Sequence, residues 1–598
     1  MLAYVCDEGL RAEANARGAN YWERYLEEMF VLLGAGARAL PLSALEDADA
    51  LGEVSALVVG AQAGATLTNL MRRTLADWVA AGGLLVGFAV EGLDRVFGIE
   101  TTGLIRQQPD AYTVSGCLDL WPHPLTHEVH PLLLAEQPVL ILSDMRRVRY
   151  AGCEEVARLF GPGREDLGCP AITWHGYGSG RAGYFAFDPA QTAWVLHQGR
   201  PLPEGREESG YPKAGELSVV GFNSRKVRHA DELTFVLQNM LARAGVPFIY
   251  QAPPVKGRIP HALLYWGGDE YTGPVQDSLQ ASDFMRERGL PYHINIQIAE
   301  HPMTEADLRH IQDNGHEVSL YWTLYEHEGW RMHPDLFRRQ SDMLQRKFGC
   351  RPDCGLIWRC RWKGWAEPAR WLAAAGARAD NSFFGKRFAF DHPLANAPAF
   401  EFGFGTSYPF YFYDDARHGN ARIDVLEEPI VCYELGHHCG LRGDTAVDWP
   451  DDLHVEDVHA AVDAALQDHL VMDMFYHPRS MSIRPATCAA IDEILRYIAY
   501  RGACVSHMSN NQVRAWWEAR RASTVRAEGG GAGGLRLRCR CEHPQGMVVK
   551  VLLEEGRQPA GVQCAGRAAP HEVRREAGGV WLHAAAPQGN STLAVSWR

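Results

Sequence analysis

Short apolar runs alternate with amphipathic stretches from the start of the chain: LAYVC, ANYWERYLEEMFVLLG, SALVVG and NLMRRTLADWVAAGGLLVGF. The short runs suit strands buried on both faces, and the longer stretches carry apolar positions at helical spacing. Their alternation predicts a parallel sheet with helices on both faces, a doubly wound α/β unit over residues 1–250. A strand-rich stretch, ITWHGYGSGRAGYFAFD, and a helix at ADELTFVLQNMLARAG close that unit. QAPPVKGRIP, with its prolines and glycine, then reads as a linker.

The alternation resumes over residues 261–521 with different punctuation. ALLYW leads to a helix over SLQASDFMRERG, YHINIQI to TEADLRHIQDNG, and EVSLYW to PDLFRRQSDMLQRKFG, each helix stopping at glycine. Thr304 with Asp307 has the spacing of a capping box. Repeated strand–helix units are what a distorted (β/α) barrel requires, and sites in such barrels lie at the C-terminal ends of the strands. After the glycine-rich RASTVRAEGGGAGG, read as a flexible linker, residues 535–598 show period-two patterning and predict a small β-sandwich.

At 598 residues the chain exceeds one core, which agrees with three units. A formal charge of −14 and a pI near 6.0 offer no basic stripe, which argues against nucleic acid and anionic membranes as partners. The start lacks the basic and apolar segments of a secretory signal, so the expected compartment is the cytoplasm. The 14 cysteines show no paired C-x2-C spacing and read as reduced thiols.

Three segments carry candidate chemistry. HALLYWGGDEYTG is an apolar strand with Asp269 and Glu270 at its tip; NGHEVSLYWTLYEHEGW contains Tyr321, Tyr325 and His327; HLVMDMFYHPRSM delivers His477 to a proline-containing turn. Together they resemble the polysaccharide deacetylases of carbohydrate esterase family four. The resemblance implies a metal-dependent hydrolase of N- or O-acetyl groups on a carbohydrate-like substrate, with zinc, cobalt or nickel as cofactor. It implies Asp269 as base, Glu270 as ligand and His477 as acid. Asp269 as ligand with the base missing, or a turn carboxylate without catalytic role, remain open. Tyr321 and Tyr325 stand where the family carries its paired histidines, and a phenol of pKa about 10 is a poor ligand at neutral pH. His327 is the candidate to supply imidazole from a shifted position, against the alternative of a plain loop residue. CGLIWRCRWKGWAEPARWLAAAGARADNSF falls where the family's arginine motif orients the acid. Arg359 or Arg361 is the candidate to grip Asp269, and Trp362 or Trp365 to stack on a sugar, with Tyr321 and Tyr325 as further substrate contacts, against the alternative of ordinary surface ion pairs and core tryptophans.

The first unit resembles the class I glutamine amidotransferase-like fold, flavodoxin-like in layout, with Ala89 of GLLVGFAVEG where the nucleophilic cysteine belongs. Alanine cannot attack a carbonyl, which leaves docking, homo-oligomerisation or cleft-shaping for this unit. Replacement of both family histidines also supports a second reading: a non-catalytic descendant, without metal, that binds an oligosaccharide or a protein partner. His123, His127 and His130 in WPHPLTHEVH are spaced for one helix face, yet Pro124 argues against the helix. His437, His438 and Cys439 read as a loop.

Overall fold

The computed structural model describes residues 1–598 except 127–137, 204–209, 222–224, 271–272, 386–399, 437–451, 532–533 and 577. It is a mixed α/β chain. Its first sheet runs in the order Ala37–Leu40, Leu2–Val5, Ala56–Val59, Leu84–Phe88, Gly180–Phe185, Asp166–Tyr177, Glu154–Phe160, Gly116–Leu120, Val139–Ile141. The first five strands are parallel. Side chains alternate across them: Leu2 and Tyr4 enter one core with the helix Leu26–Leu33, whereas Ala3 and Val5 enter another with Asn69–Ala80. Both faces are therefore covered, as the apolar runs require. The remaining strands are antiparallel, contrary to a wholly parallel expectation. The cause is local: Tyr177 pairs with Gly180 across a two-residue turn in which Gly178 has φ 59°, too short a connection for a parallel crossover.

The second sheet is a curled, open half-barrel. Its order is Phe410–Tyr413, Arg422–Glu427, Ala379–Asp380, Cys354–Ile357, Glu317–Trp322, His293–Ile296, Ala262–Glu270, Val471–Phe475, Cys432–Tyr433, and Val505–Ser509 also pairs with Ala262–Glu270. All pairings are parallel except that of Phe410–Tyr413 with Arg422–Glu427. The predicted cap forms: Thr304 Oγ1 accepts the Asp307 N–H at 3.3 Å, and Asp307 Oδ2 accepts the Thr304 N–H at 2.8 Å.

Beside a small antiparallel pair, Ile99–Ile105 with Met145–Tyr150, two larger antiparallel sheets complete the described residues, and both expected linkers turn out structured. Thr524–Gly531 pairs with Gly534–Cys541, so the glycine-rich run is one arm of a hairpin. Phe248–Ile249 pairs with Met547–Leu552, which joins the end of the first unit to the last sheet. Trp516 Nε1 donates to Gln251 O at 2.7 Å, packing the start of the proline-rich segment against the helix Asn510–Ala522. Four carbonyls converge on buried Arg520: those of Val31, Leu32, Ile249 and Tyr250, at 2.5, 3.0, 2.7 and 3.1 Å. The guanidinium thus closes the C-terminal end of the helix Leu26–Leu33 from 489 residues along the chain, where carbonyls lack intrahelical partners. Among the described residues no helix is long and apolar enough to cross a membrane, and no disulfide is present.

Candidate active site

Three neighbouring strands end at the same rim. Gly267 pairs with Phe475, and two residues further along each parallel strand stand Asp269 and His477. Tyr433 also pairs with Phe475, and the next residue on that strand is Glu434. Register alone therefore gathers the three side chains. Glycine at 268 permits the close approach, since a Cβ there would meet Tyr476 O at 1.9 Å.

His477 is the hub. Its Nε2 lies 2.9 Å from Asp269 Oδ1, and its Nδ1 lies 2.7 Å from Glu434 Oε1. The same Glu434 oxygen accepts the His477 backbone N–H at 2.8 Å. A carboxylate only accepts, so each ring nitrogen is placed to donate, Nδ1 to Glu434 and Nε2 to Asp269. Tyr433 and Phe475 set their rings edge-on to the imidazole, 5.4 and 5.1 Å between centroids and both at 80°. Pro478 follows at the first position of the helix Pro478–Ile483, which fixes the chain as it leaves the site. Glu434 is fully buried and sits at φ 49°, an unusual conformation for a non-glycine residue.

Glu270 stands beside this relay. Its Oε1 accepts the Gly273 N–H at 3.0 Å, while Oε2 is buried without a hydrogen-bond partner among the described residues. Burial pushes its carboxyl up to about 7; the His477 charge opposes the rise and that of Asp269 adds to it. It is thus poised to hold a proton near neutrality. Tyr321 is buried, and its hydroxyl oxygen accepts the Arg359 backbone N–H at 2.8 Å. Burial and the nearby Asp269 charge raise the phenol far above its ordinary value, so it keeps its proton.

The other expected site residues are placed differently. His327 is exposed on the short turn Glu326–Glu328, its ring 5.3 Å from that of Tyr325. Tyr325 is half-buried, its phenol raised to about 12 by burial and by Glu300 and Glu328. Arg359 reaches the site through its backbone N–H, and its exposed guanidinium lies 4.8 Å over the Trp358 ring. Arg361 is buried and donates from Nη1 to Tyr211 O at 2.9 Å. Trp362 and Trp365 are core residues, not groove walls. Trp362 stacks on Phe412 at 5.3 Å, and Trp365 stacks on Trp194 at 5.4 Å while donating to Gly199 O at 3.0 Å. Large apolar rings gain more from burial against other rings than from solvent.

A divalent cation does not fit the donors that come together among the described residues. His327 faces solvent, the phenols stay protonated, and one Asp269 oxygen is engaged by His477. Among the described residues, one trio of candidate ligands lies within 4.8 Å of each other: Asp414, Asp415 and His418. There Arg370 pairs with Asp414 and Arg417 with Asp415, so guanidinium groups already balance the carboxylates. His123 lies 3.1 Å from Glu154 Oε2, and His127, His130, His437, His438 and Cys439 fall outside the described residues. Glu434 escaped the sequence reading, although IVCYE repeats the signal of GGDE, an apolar strand ending in an acid.

Fold and site together define a mixed α/β protein whose curled parallel sheet brings a carboxylate–imidazole–carboxylate relay to its C-terminal rim. No protein-family model matches the sequence, and no curated protein does. Among solved structures, the carbohydrate deacetylase Agd3 aligns over 100% of this chain and 98% of its own, at 10% identity and TM-score 0.41. A polysaccharide deacetylase from Mycobacterium smegmatis, described as putative, covers 46% of this chain and 96% of its own, at 15% identity and TM-score 0.31. The β-galactosidase of Rahnella sp. R3 covers 31% of this chain at 16% identity and TM-score 0.24, and the chain spans 28% of that enzyme. Likeness at these scores assigns no activity.

Proposed function

We propose that the chain hydrolyses an acyl group, amide- or ester-linked, on a carbohydrate-like substrate. The observation that carries this reading is the unbroken contact from Glu434 through His477 to Asp269, at 2.7 and 2.9 Å, on a buried barrel rim. Asp269, backed by the imidazole, takes a proton from water, and the water oxygen attacks the acyl carbon. The Tyr321 hydroxyl, polarised by the Arg359 N–H, donates to the acyl oxygen as negative charge develops there. Glu270 gives its proton to the departing nitrogen or oxygen as the acyl bond breaks. Glu434 holds the ring and balances the imidazolium. Two carboxyl groups driven to different proton affinities on one rim supply the acid and the base.

The amino-terminal unit is read as scaffold. Ala89, at φ 50° after the strand Leu84–Phe88, keeps an elbow-like backbone but presents no nucleophile. The test is acetate release from acetylated oligosaccharides. Asp269→Asn and His477→Gln are each expected to lower the rate by about 10²–10⁴. The failure of His327 to join the rim favours a second reading, a binding protein, in which oligosaccharide binds and no acetate appears.

A further inference from the structure

Two loops at the barrel mouth carry tryptophans that stack on each other. Trp330 and Trp358 have ring centroids 4.7 Å apart and planes 17° from parallel. Trp358 follows the strand Cys354–Ile357, and half-buried Trp330 follows the turn Glu326–Glu328. Both loops hold non-glycine residues in the left-handed region: Trp330 at φ 55°, Arg359 at 52° and Cys360 at 55°. Such a conformation is strained for a residue with a Cβ and persists only where its surroundings impose it.

Part of what holds these loops comes from outside the barrel. The hydroxyl of Tyr211, in the amino-terminal unit, accepts the Met332 N–H at 3.0 Å, two residues beyond Trp330. Its carbonyl accepts Arg361 Nη1 at 2.9 Å, and the Pro212 carbonyl accepts the Trp362 N–H at 2.9 Å. Lys213 bridges antiparallel to Arg361. One segment thus ties both tryptophan loops together. The pair also adjoins the relay, since Arg359, next to Trp358, donates its N–H to Tyr321, whose phenol feels the Asp269 charge.

We propose that half-buried Trp330, backed by the buried ring of Trp358, forms a subsite on which a sugar ring adjoining the acylated one stacks, with Tyr211 as its positioning residue, so that the amino-terminal segment completes the barrel's site. The C–H face of a pyranose suits an indole face, and the guanidinium of Arg359 over Trp358 is placed to meet sugar hydroxyls. The proposal rests on the hydrolase reading only for the position of the reacting group.

The experiment titrates the full chain with triacetylchitotriose and with N-acetylglucosamine by calorimetry, and follows acetate release from both. Trp330→Ala is expected to weaken trisaccharide binding about tenfold and to leave the monosaccharide within about twofold. Tyr211→Phe removes the hydroxyl that accepts the Met332 N–H and is expected to raise KM for the trisaccharide about threefold at unchanged kcat. Thermal melts establish that both variants are folded. No trisaccharide binding, or wild-type trisaccharide affinity in Trp330→Ala together with wild-type KM in Tyr211→Phe, overturns the subsite. Binding that depends on Trp330 without acetate release keeps the subsite and ends the hydrolase reading; acetate release with Trp330-independent binding does the reverse.

Discussion

Replacing Glu434 by glutamine isolates the charge that stands behind the imidazole. In the native chain one oxygen, Oε1, accepts both the His477 backbone N–H at 2.8 Å and the ring Nδ1–H at 2.7 Å. Glutamine keeps the side-chain length and an acceptor oxygen, so both bonds persist as neutral ones. Charge-assisted bonds contribute about 1.5–3 kcal/mol and neutral ones about 0.5–1.5, so the imidazolium that backs Asp269 loses about 1–2 kcal/mol. The expected result is a fall in kcat of about five- to thirtyfold with KM unchanged. Stability should hold or rise, because the native carboxylate is fully buried and its Oε2 has no hydrogen-bond partner among the described residues. Acetate release and denaturant melts on the same preparations give both numbers. Wild-type kcat in Glu434→Gln, or a rate loss matched by an equal loss of folded protein, would refute a role for this charge in proton transfer.

Four further outcomes follow from the same geometry. Burial lifts the Glu270 carboxyl from 4.5 to about 7, so its stabilising contribution is complete below pH 4.5 and lost as pH rises past 7. Glu270→Gln should therefore flatten the fall in stability across that window, by at most about 3 kcal/mol, and abolish activity that in the native chain declines above pH 7; an unchanged pH profile counts against its role as acid. Trp365→Ala should cost about 3–5 kcal/mol of stability, seen in denaturant melts, because the ring is buried against Trp194; a stable protein with only an altered KM would return Trp365 to the groove. Arg520→Met should destabilise by about 3–5 kcal/mol by stranding buried carbonyls, and Arg520→Lys should recover only part of it, since an ammonium cannot reach four acceptors at once. Dialysis against a chelator should leave acetate release unchanged, and a loss restored by zinc, cobalt or nickel would overturn the metal-free scheme.

Strand and helix placement was legible because each rests on local periodicity. LAYVC, SALVVG and GLLVGF became strands buried on both faces, and TEADLRHIQDNG became a helix capped by Thr304 as its spacing dictates. The tip residues Asp269 and His477 were equally legible, since an apolar strand that ends in a polar side chain presents it at the sheet rim.

What the sequence determined by itself was thus the set of elements and the residues at their ends, because hydrophobic period and turn chemistry act over a few neighbours. Only the tertiary structure decided which ends meet. Pairing of Gly267 and Tyr433 with Phe475 sets Glu434 behind His477 across 43 residues of chain, and no local pattern encodes a register. Burial likewise sent Trp362 and Trp365 into the core and left His327 in solvent, because the area a side chain loses to water depends on neighbours hundreds of residues away.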